Sequence, residues 1–69
     1  MADKKYKQAF FWLNRAAYKN SITAQLRLAY MHLKGLGTKV NKKLAIYWYQ
    51  KAKSQGSSVA SSALHQLLR

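Results

Sequence analysis

The stretch that decides the fold runs from Ala24 to Lys53 and reads AQLRLAYMHLKGLGTKVNKKLAIYWYQKAK. Apolar residues recur every three or four positions on both sides of a loop that contains two glycines. This period predicts a helix over 22–34, a loop over 35–41 and a second helix over 42–55. Gly35 is suited to end the first helix, and Asn41 is suited to cap the second. The stretch is therefore predicted to form a helical hairpin.

An earlier segment of the chain resembles the second half of this stretch. Three pairs of residues share an offset of 36 positions: Ala9 with Ala45, Trp12 with Trp48, and Ala16 with Ala52. Repetition at such a period is typical of stacked helical-repeat proteins. Helical spacing also predicts a first helix over 4–19 and a last one over 59–68. Because the connections are short, we expect four antiparallel helices, in which alanines allow close approach and Trp12, Trp48 and the tyrosines fill the wider gaps.

The composition is unusual in its charge. The 69 residues include thirteen Lys and Arg but one acidic residue, Asp3, which gives a net charge of +12. Such self-repulsion destabilises the compact state, so the charge needs either another reason or an anionic partner, which could be nucleic acid, an anionic membrane surface or an acidic protein. The absence of cysteine excludes disulfides and thiolate metal sites. No apolar run approaches the roughly 18 residues of a membrane span, and no signal peptide is evident, so a soluble, cytoplasmic chain is expected.

The repeated residues resemble the Sel1-like repeat, a relative of the tetratricopeptide repeat. The positions that match the family pattern are Ala9, Trp12, Ala16, Ala24, Leu28, Gly35, Gly37, Ala45, Trp48 and Ala52. His32 stands where the family has Tyr, and Ala29 stands where it has Gly. The resemblance implies an all-α fold, an α-α right-handed superhelix in the form of a mini-solenoid. It divides the single domain, 1–69, into a half repeat (3–20), a full repeat (22–56) and a half repeat (57–69).

The resemblance also implies a non-catalytic adaptor or scaffold that binds proteins. The residue inventory agrees, because two histidines and one acid provide neither a carboxylate pair nor a set of metal ligands. We therefore expect no enzymatic activity, no metal and no cofactor. His32 is interpreted as a packing residue in preference to a functional one. Gly35 and Gly37 are interpreted as turn residues, since a dinucleotide site needs a preceding strand and a third glycine.

Two groups of residues are candidates for partner contact. Arg27, Tyr30 and Lys34 lie off the core stripe of the second helix, which in tetratricopeptide-like stacks lines the concave groove. Tyr and Arg are frequent in binding hot spots, although ordinary surface residues would have the same spacing. Lys39, Lys42 and Lys43 flank the glycine loop beside a helix N-terminus. They are predicted either to contact phosphates or acidic side chains or to face solvent.

Two functions from different classes remain open at this point. The first is a protein adaptor that recognises an acidic partner surface. The second is a basic module that binds nucleic acid through phosphates with weak sequence specificity. A helix-turn-helix DNA reader is less favoured because its turn is shorter than 35–41, and a membrane-surface role is weaker still. Self-association through the uncapped end helices is a further expectation.

Overall fold

Four α-helices account for most of the chain, of which the computed structural model describes residues 2–69, with side chains from Lys5 onward. They are α1 (Ala2–Tyr18), α2 (Ile22–Lys34), α3 (Lys42–Ser54) and α4 (Ser58–Leu67). Residues 2–69 contain no strand, which confirms the all-α prediction. Helix α2 has the predicted bounds, and the other three helices each end one residue before the predicted position.

The helices pack in the order in which they follow one another. The main contacts are those of α1 with α2, α2 with α3, and α3 with α4. This is the arrangement of an open stack, as predicted, in which the two inner helices each have a packed neighbour on both sides. Among residues 2–69, no helix combines the length and apolarity that crossing a bilayer requires.

The two short turns, residues 19–21 and 55–57, have the same structure. Asn20 and Gly56, which are 36 positions apart, both adopt a left-handed backbone, with φ of 70° and 99°. The next residues, Ser21 and Ser57, are the N-caps of α2 and α4. Each serine Oγ accepts a hydrogen bond from the amide three residues on, at 3.3 and 3.1 Å. The repeat found in the sequence is therefore also a repeat of backbone geometry.

The longer connection, residues 35–41, depends on its glycines. Gly35 ends α2 in the left-handed conformation and donates its N–H to the Met31 carbonyl. A Cβ added to Gly37 would lie 2.5 Å from the carbonyl oxygen of Tyr6, so the loop backbone touches the backbone of α1. Asn41 then caps α3, its Oδ1 accepting from the amide of Leu44. Both glycines therefore have structural roles.

The core alternates small and large side chains. Its buried residues are Ala17, Ala24, Leu28, Ala29, Ala45, Trp48, Tyr49, Ala52, Ala60 and Leu64. The alanines bring neighbouring helices close together, and the larger residues fill the space between them. Five of the predicted repeat positions are in this set, and Ala9 and Ala16 are half-buried.

The prediction that Trp12 fills a gap in the core is wrong. The side chain of Trp12 is 64% exposed, whereas that of Trp48 is 3% exposed. Most tyrosines are also exposed, and Tyr49 alone among them lies in the described core. The reason is the number of neighbours, because α3 lies between α2 and α4 whereas α1 packs mainly on α2.

A buried glutamine ties three helices together. Gln25 of α2 is fully buried; its Nε2 donates to the Ala17 carbonyl of α1 at 3.1 Å. Its Oε1 accepts a hydrogen bond from Gln55 Nε2, just after α3, at 2.9 Å. Both ends of the buried amide are therefore paired, as a polar group in a core requires.

Candidate functional site

An apolar groove of about 460 Å³ runs across the stack and is lined by residues from all four helices. It is lined by Tyr6, Ala9, Leu13, Leu26, Arg27, Tyr30, Met31, Leu36, Tyr49 and Val59. Aliphatic side chains alternate there with tyrosines and one guanidinium. A mainly apolar cleft with a few polar groups is the usual form of a binding site.

The polar edge of this groove is a stripe along α2. Thr23, Arg27, Tyr30 and Lys34 are the exposed residues of that helix, and their spacing of three and four places them on one face. Arg27 and Tyr30 line the groove, and the Lys34 ammonium lies 5.9 Å from the centre of the Tyr30 ring. The structure therefore brings together the first group of predicted contact residues.

The second predicted group lies elsewhere. Lys39 is in the loop, and Lys42 and Lys43 form the first turn of α3; all three are exposed and none lines the groove. The first turn of α3 contains no acidic residue. Cations at a helix N-terminus are disfavoured by the helix dipole, so an anion bound here would relieve that repulsion.

Nothing in the sequence beyond Asp3 can neutralise these cations with a side-chain carboxylate, since Asp3 is the only acidic residue. The potential over the groove and the lysine loop is therefore positive. Within the part of the chain that the structure describes, no three residues of the metal-binding types cluster together.

Two tyrosines meet at the groove, Tyr30 on its edge and Tyr49 on its inner wall. Burial raises the pKa of Tyr49 above its ordinary value, and the nearby Tyr30 raises it further. The Tyr49 hydroxyl is therefore neutral at physiological pH. It offers a partner a hydrogen-bond donor without adding negative charge to a cationic surface.

His32 lies away from the groove lining and is buried between α1 and α2. The ring of Phe10 meets it edge-on, with ring centres 5.3 Å apart. Its Nδ1 is buried and makes no hydrogen bond with the described residues. Burial lowers the pKa of His32, so the neutral ring is favoured. This placement is that of a packing residue.

Sequence reasoning missed the floor of the groove. Helical spacing predicts that Leu13, Leu26 and Met31 face a neighbouring helix, but it does not predict that their edges form the floor of a cleft. It also missed a larger groove of about 580 Å³ between α3 and α4. Its lining consists of Gln50, Lys53, Ser54, Ser61, Leu64, His65, Leu68 and Arg69. Helical periodicity identifies which residues face inward but not where packing leaves a gap.

Comparison with protein-family models gives two matches, both to the Sel1 repeat. The first covers residues 1–21 and the second covers residues 22–57. The boundary between them falls in the turn that precedes α2, where Ser21 caps the helix. Searches of curated proteins and of solved structures returned no match.

Proposed function

The chain belongs to the Sel1-repeat family of protein-interaction modules, and from this premise we propose that it is a non-catalytic adaptor whose groove binds an acidic protein. The observation that carries the proposal is the stripe of Arg27, Tyr30 and Lys34 along the edge of an apolar cleft. This arrangement combines apolar anchoring with charge recognition. Tyr and Arg are the residue types that most often dominate the energy of an interface.

The residues that line the groove favour a ligand with both an apolar side chain and a carboxylate. An apolar side chain of the partner would pack against Leu13, Leu26 and Met31 on the floor of the cleft. A carboxylate beside it would pair with the Arg27 guanidinium, which can hold both oxygens at once. A segment that presents leucine or an aromatic residue next to Asp or Glu fits this pattern.

The lysine loop contributes to the same function in a different way. Lys39, Lys42 and Lys43 lie outside the cleft, so their effect on the partner acts through long-range attraction. Such charges speed association more than they slow dissociation, and salt weakens them. We expect neutralising these lysines to reduce the association rate and its salt dependence.

The experiment begins with the groove itself. Tyr30 is replaced by photo-crosslinking benzoylphenylalanine, and the partner is captured from nuclease-treated lysate of the cells that produce the protein. The purified partner is then titrated against the double variant Arg27→Glu/Lys34→Glu. We expect affinity to fall by at least about tenfold, as for loss of a hot-spot residue.

The matched control is Lys51→Glu/Lys53→Glu, which makes the same change in net charge on exposed residues of α3. This variant should bind the partner within about threefold of the unmodified chain, since distant exposed pairs contribute little. If both double variants lose affinity equally, net charge and not the groove governs binding, and the proposed site is wrong.

Nucleic acid is the second candidate, and its motivation is the charge of +12. It predicts a gel shift with duplex DNA at about 50 mM salt and a slope of log affinity on log salt near −0.9 for each neutralised phosphate. It also predicts that both double variants weaken binding similarly. Absence of a shift at this salt removes this candidate.

A further inference from the structure

The outer face of α1 exposes a preformed aromatic cluster. The rings of Phe11 and Trp12 meet edge to face with centres 5.4 Å apart, and both side chains are more than half exposed. The Arg15 guanidinium lies 5.7 Å from the centre of the Phe11 ring and 5.9 Å from that of Trp12. We call these three residues the α1 cluster. It lies outside the groove lining.

Helix α3 contains the same cluster at the positions 36 residues further on. Tyr47 and Trp48 meet edge to face with centres 5.1 Å apart, and the Lys51 ammonium lies 5.7 Å from the centre of the Tyr47 ring. The aromatic pair and its cation are therefore reproduced in type and in geometry. The two clusters differ in whether other residues cover the tryptophan, because Trp48 is buried and Trp12 is exposed.

The cover over the α3 cluster shows what shape fits such a surface. Helix α2 packs along α3, and its Ala24 and Leu28 belong to the same buried core as Trp48. The ring of Tyr18, at the end of α1, also meets the Trp48 ring edge to face, with centres 5.1 Å apart. The helix that packs on the other side of α3 is α4, and its equivalent beside α1 is α2 itself. Within residues 2–69, no helix occupies the side of α1 that corresponds to the α2-facing side of α3, to which α2 brings Ala24 and Leu28.

We propose that the α1 cluster binds an amphipathic helix of a partner protein, with Ala and Leu on the contacting face and carboxylates beside it. The carboxylates follow from charge, since Arg15 is part of the cluster and residues 4–69 contain no Asp or Glu. An acidic side chain on the docked helix would pair with Arg15 at the edge of the aromatic rings. This surface is separate from the groove and does not depend on it.

A second copy of the chain fits the α1 cluster less well than an acidic helix. The counterpart of α2 in the repeat is α4, which together with α3 lines the groove that contains Lys53, His65 and Arg69. The residues 36 positions earlier are Ala17, Ala29 and Leu33, which lie in or against the core. Docking that basic end onto Arg15 would oppose like charges and bury polar groups.

The test uses the 69-residue chain with both tryptophans replaced by 5-fluorotryptophan, which gives one ¹⁹F signal for each. The Trp12→Phe variant assigns the signals. The probe is a synthetic helix with the sequence 21–34 in which Thr23, Arg27 and Lys34 are replaced by Glu. The exposed stripe becomes acidic while Ala24 and Leu28 are retained. The reference peptide has the unmodified sequence and is basic.

We expect the acidic peptide to move the Trp12 signal and to leave the Trp48 signal in place. The basic peptide should need at least about a tenfold higher concentration, because it repels Arg15. Arg15→Glu should weaken binding of the acidic peptide at least about tenfold. Lys51→Glu, the same change at the equivalent position of α3, should have little effect, and so should Arg27→Glu/Lys34→Glu in the groove.

Four outcomes would overturn the proposal. The first is equal affinity for the acidic and basic peptides, and the second is binding that Arg15→Glu leaves unchanged. The third is a shift of the Trp48 signal, which would mean that the peptide displaces α2. The fourth is a Trp12 signal that moves with the concentration of the chain alone, which would assign the surface to a second copy.

Discussion

Helices α1 and α3 are the same repeat element in two settings. They share an aromatic pair, a neighbouring cation and the alanines that contact the next helix, all at an offset of 36 residues. Helix α3 is enclosed by α2 and α4, and its tryptophan belongs to the core. Helix α1 has one main neighbour, and its tryptophan faces outward. In a stacked fold, the burial of a residue is therefore set by the adjacent element as much as by its own helix.

The largest predicted effect tests this comparison directly. Trp48→Ala should cost about 3–5 kcal/mol of unfolding free energy, because a large buried side chain is removed and a cavity is left. That loss approaches the whole stability of many small domains, so the variant should be largely unfolded. Trp12→Ala should change stability by no more than about 0.5 kcal/mol, as for exposed residues. Urea denaturation followed by circular dichroism measures both. An equal loss of unfolding free energy in the two variants would show that Trp12 and Trp48 do not differ in burial.

The second prediction compares α2 with α4. Gln25→Ala should cost about 1–3 kcal/mol, because it leaves the Ala17 carbonyl and the Gln55 amide without their partner. Ser61→Ala, the exposed equivalent in α4, should have almost no effect on stability. Urea denaturation of the two variants provides the measurement. A small effect of Gln25→Ala would mean that water replaces the lost bonds.

The third prediction compares two glycines with positive φ. Gly37→Ala should cost about 1–3 kcal/mol, because the new methyl group meets the backbone of α1 and the conformation is strained. Gly56→Ala should introduce the backbone strain of a positive φ but no steric clash, since open space surrounds the Cβ position. It should therefore cost less than Gly37→Ala. The reverse order, measured by thermal denaturation, would show that the loop can move away from α1.

The smallest effect concerns pH. Burial lowers the pKa of His32 in the folded state, so the unfolded chain binds the proton more readily. The stabilising contribution is present above the unfolded pKa of about 6.5 and is lost as the pH falls below it. His32→Leu places at this site the residue found 36 positions later, Leu68, and should reduce the loss of stability between pH 7 and pH 5. Urea denaturation at both pH values tests this, with His65→Ala at an exposed site as the control.

Most of the architecture could be predicted from the chain itself. Helical spacing, glycine stops and the 36-residue offset predicted four helices, and the bounds of α2 agree with the structure. The exposure of Trp12 could not be predicted in this way. Periodicity shows that a residue belongs to an interface, but it does not show whether the other half of the interface is present.

The candidate site was predictable only in part. The stripe of Arg27, Tyr30 and Lys34 followed from helix geometry, and the structure places it at the edge of a groove. The groove floor required packing detail that spacing does not contain. Gln25 was missed because a polar residue at a core position is disregarded by an apolar pattern, although its two hydrogen bonds make it part of the core.

The matching turns at Ser21 and Ser57 make the protein extensible. Residues 22–57 begin just after one N-cap and end on the next, so the segment is a modular cassette whose two ends have the same backbone conformation. The residues that α4 buries in the core, Ala60 and Leu64, have Ala24 and Leu28 as their equivalents in α2. Inserting a further cassette after Ser57 would lengthen the array by one helical pair and keep its phase. Such lengthened arrays would separate Trp12 from the basic end of α4 by distances that increase in equal steps with each inserted cassette.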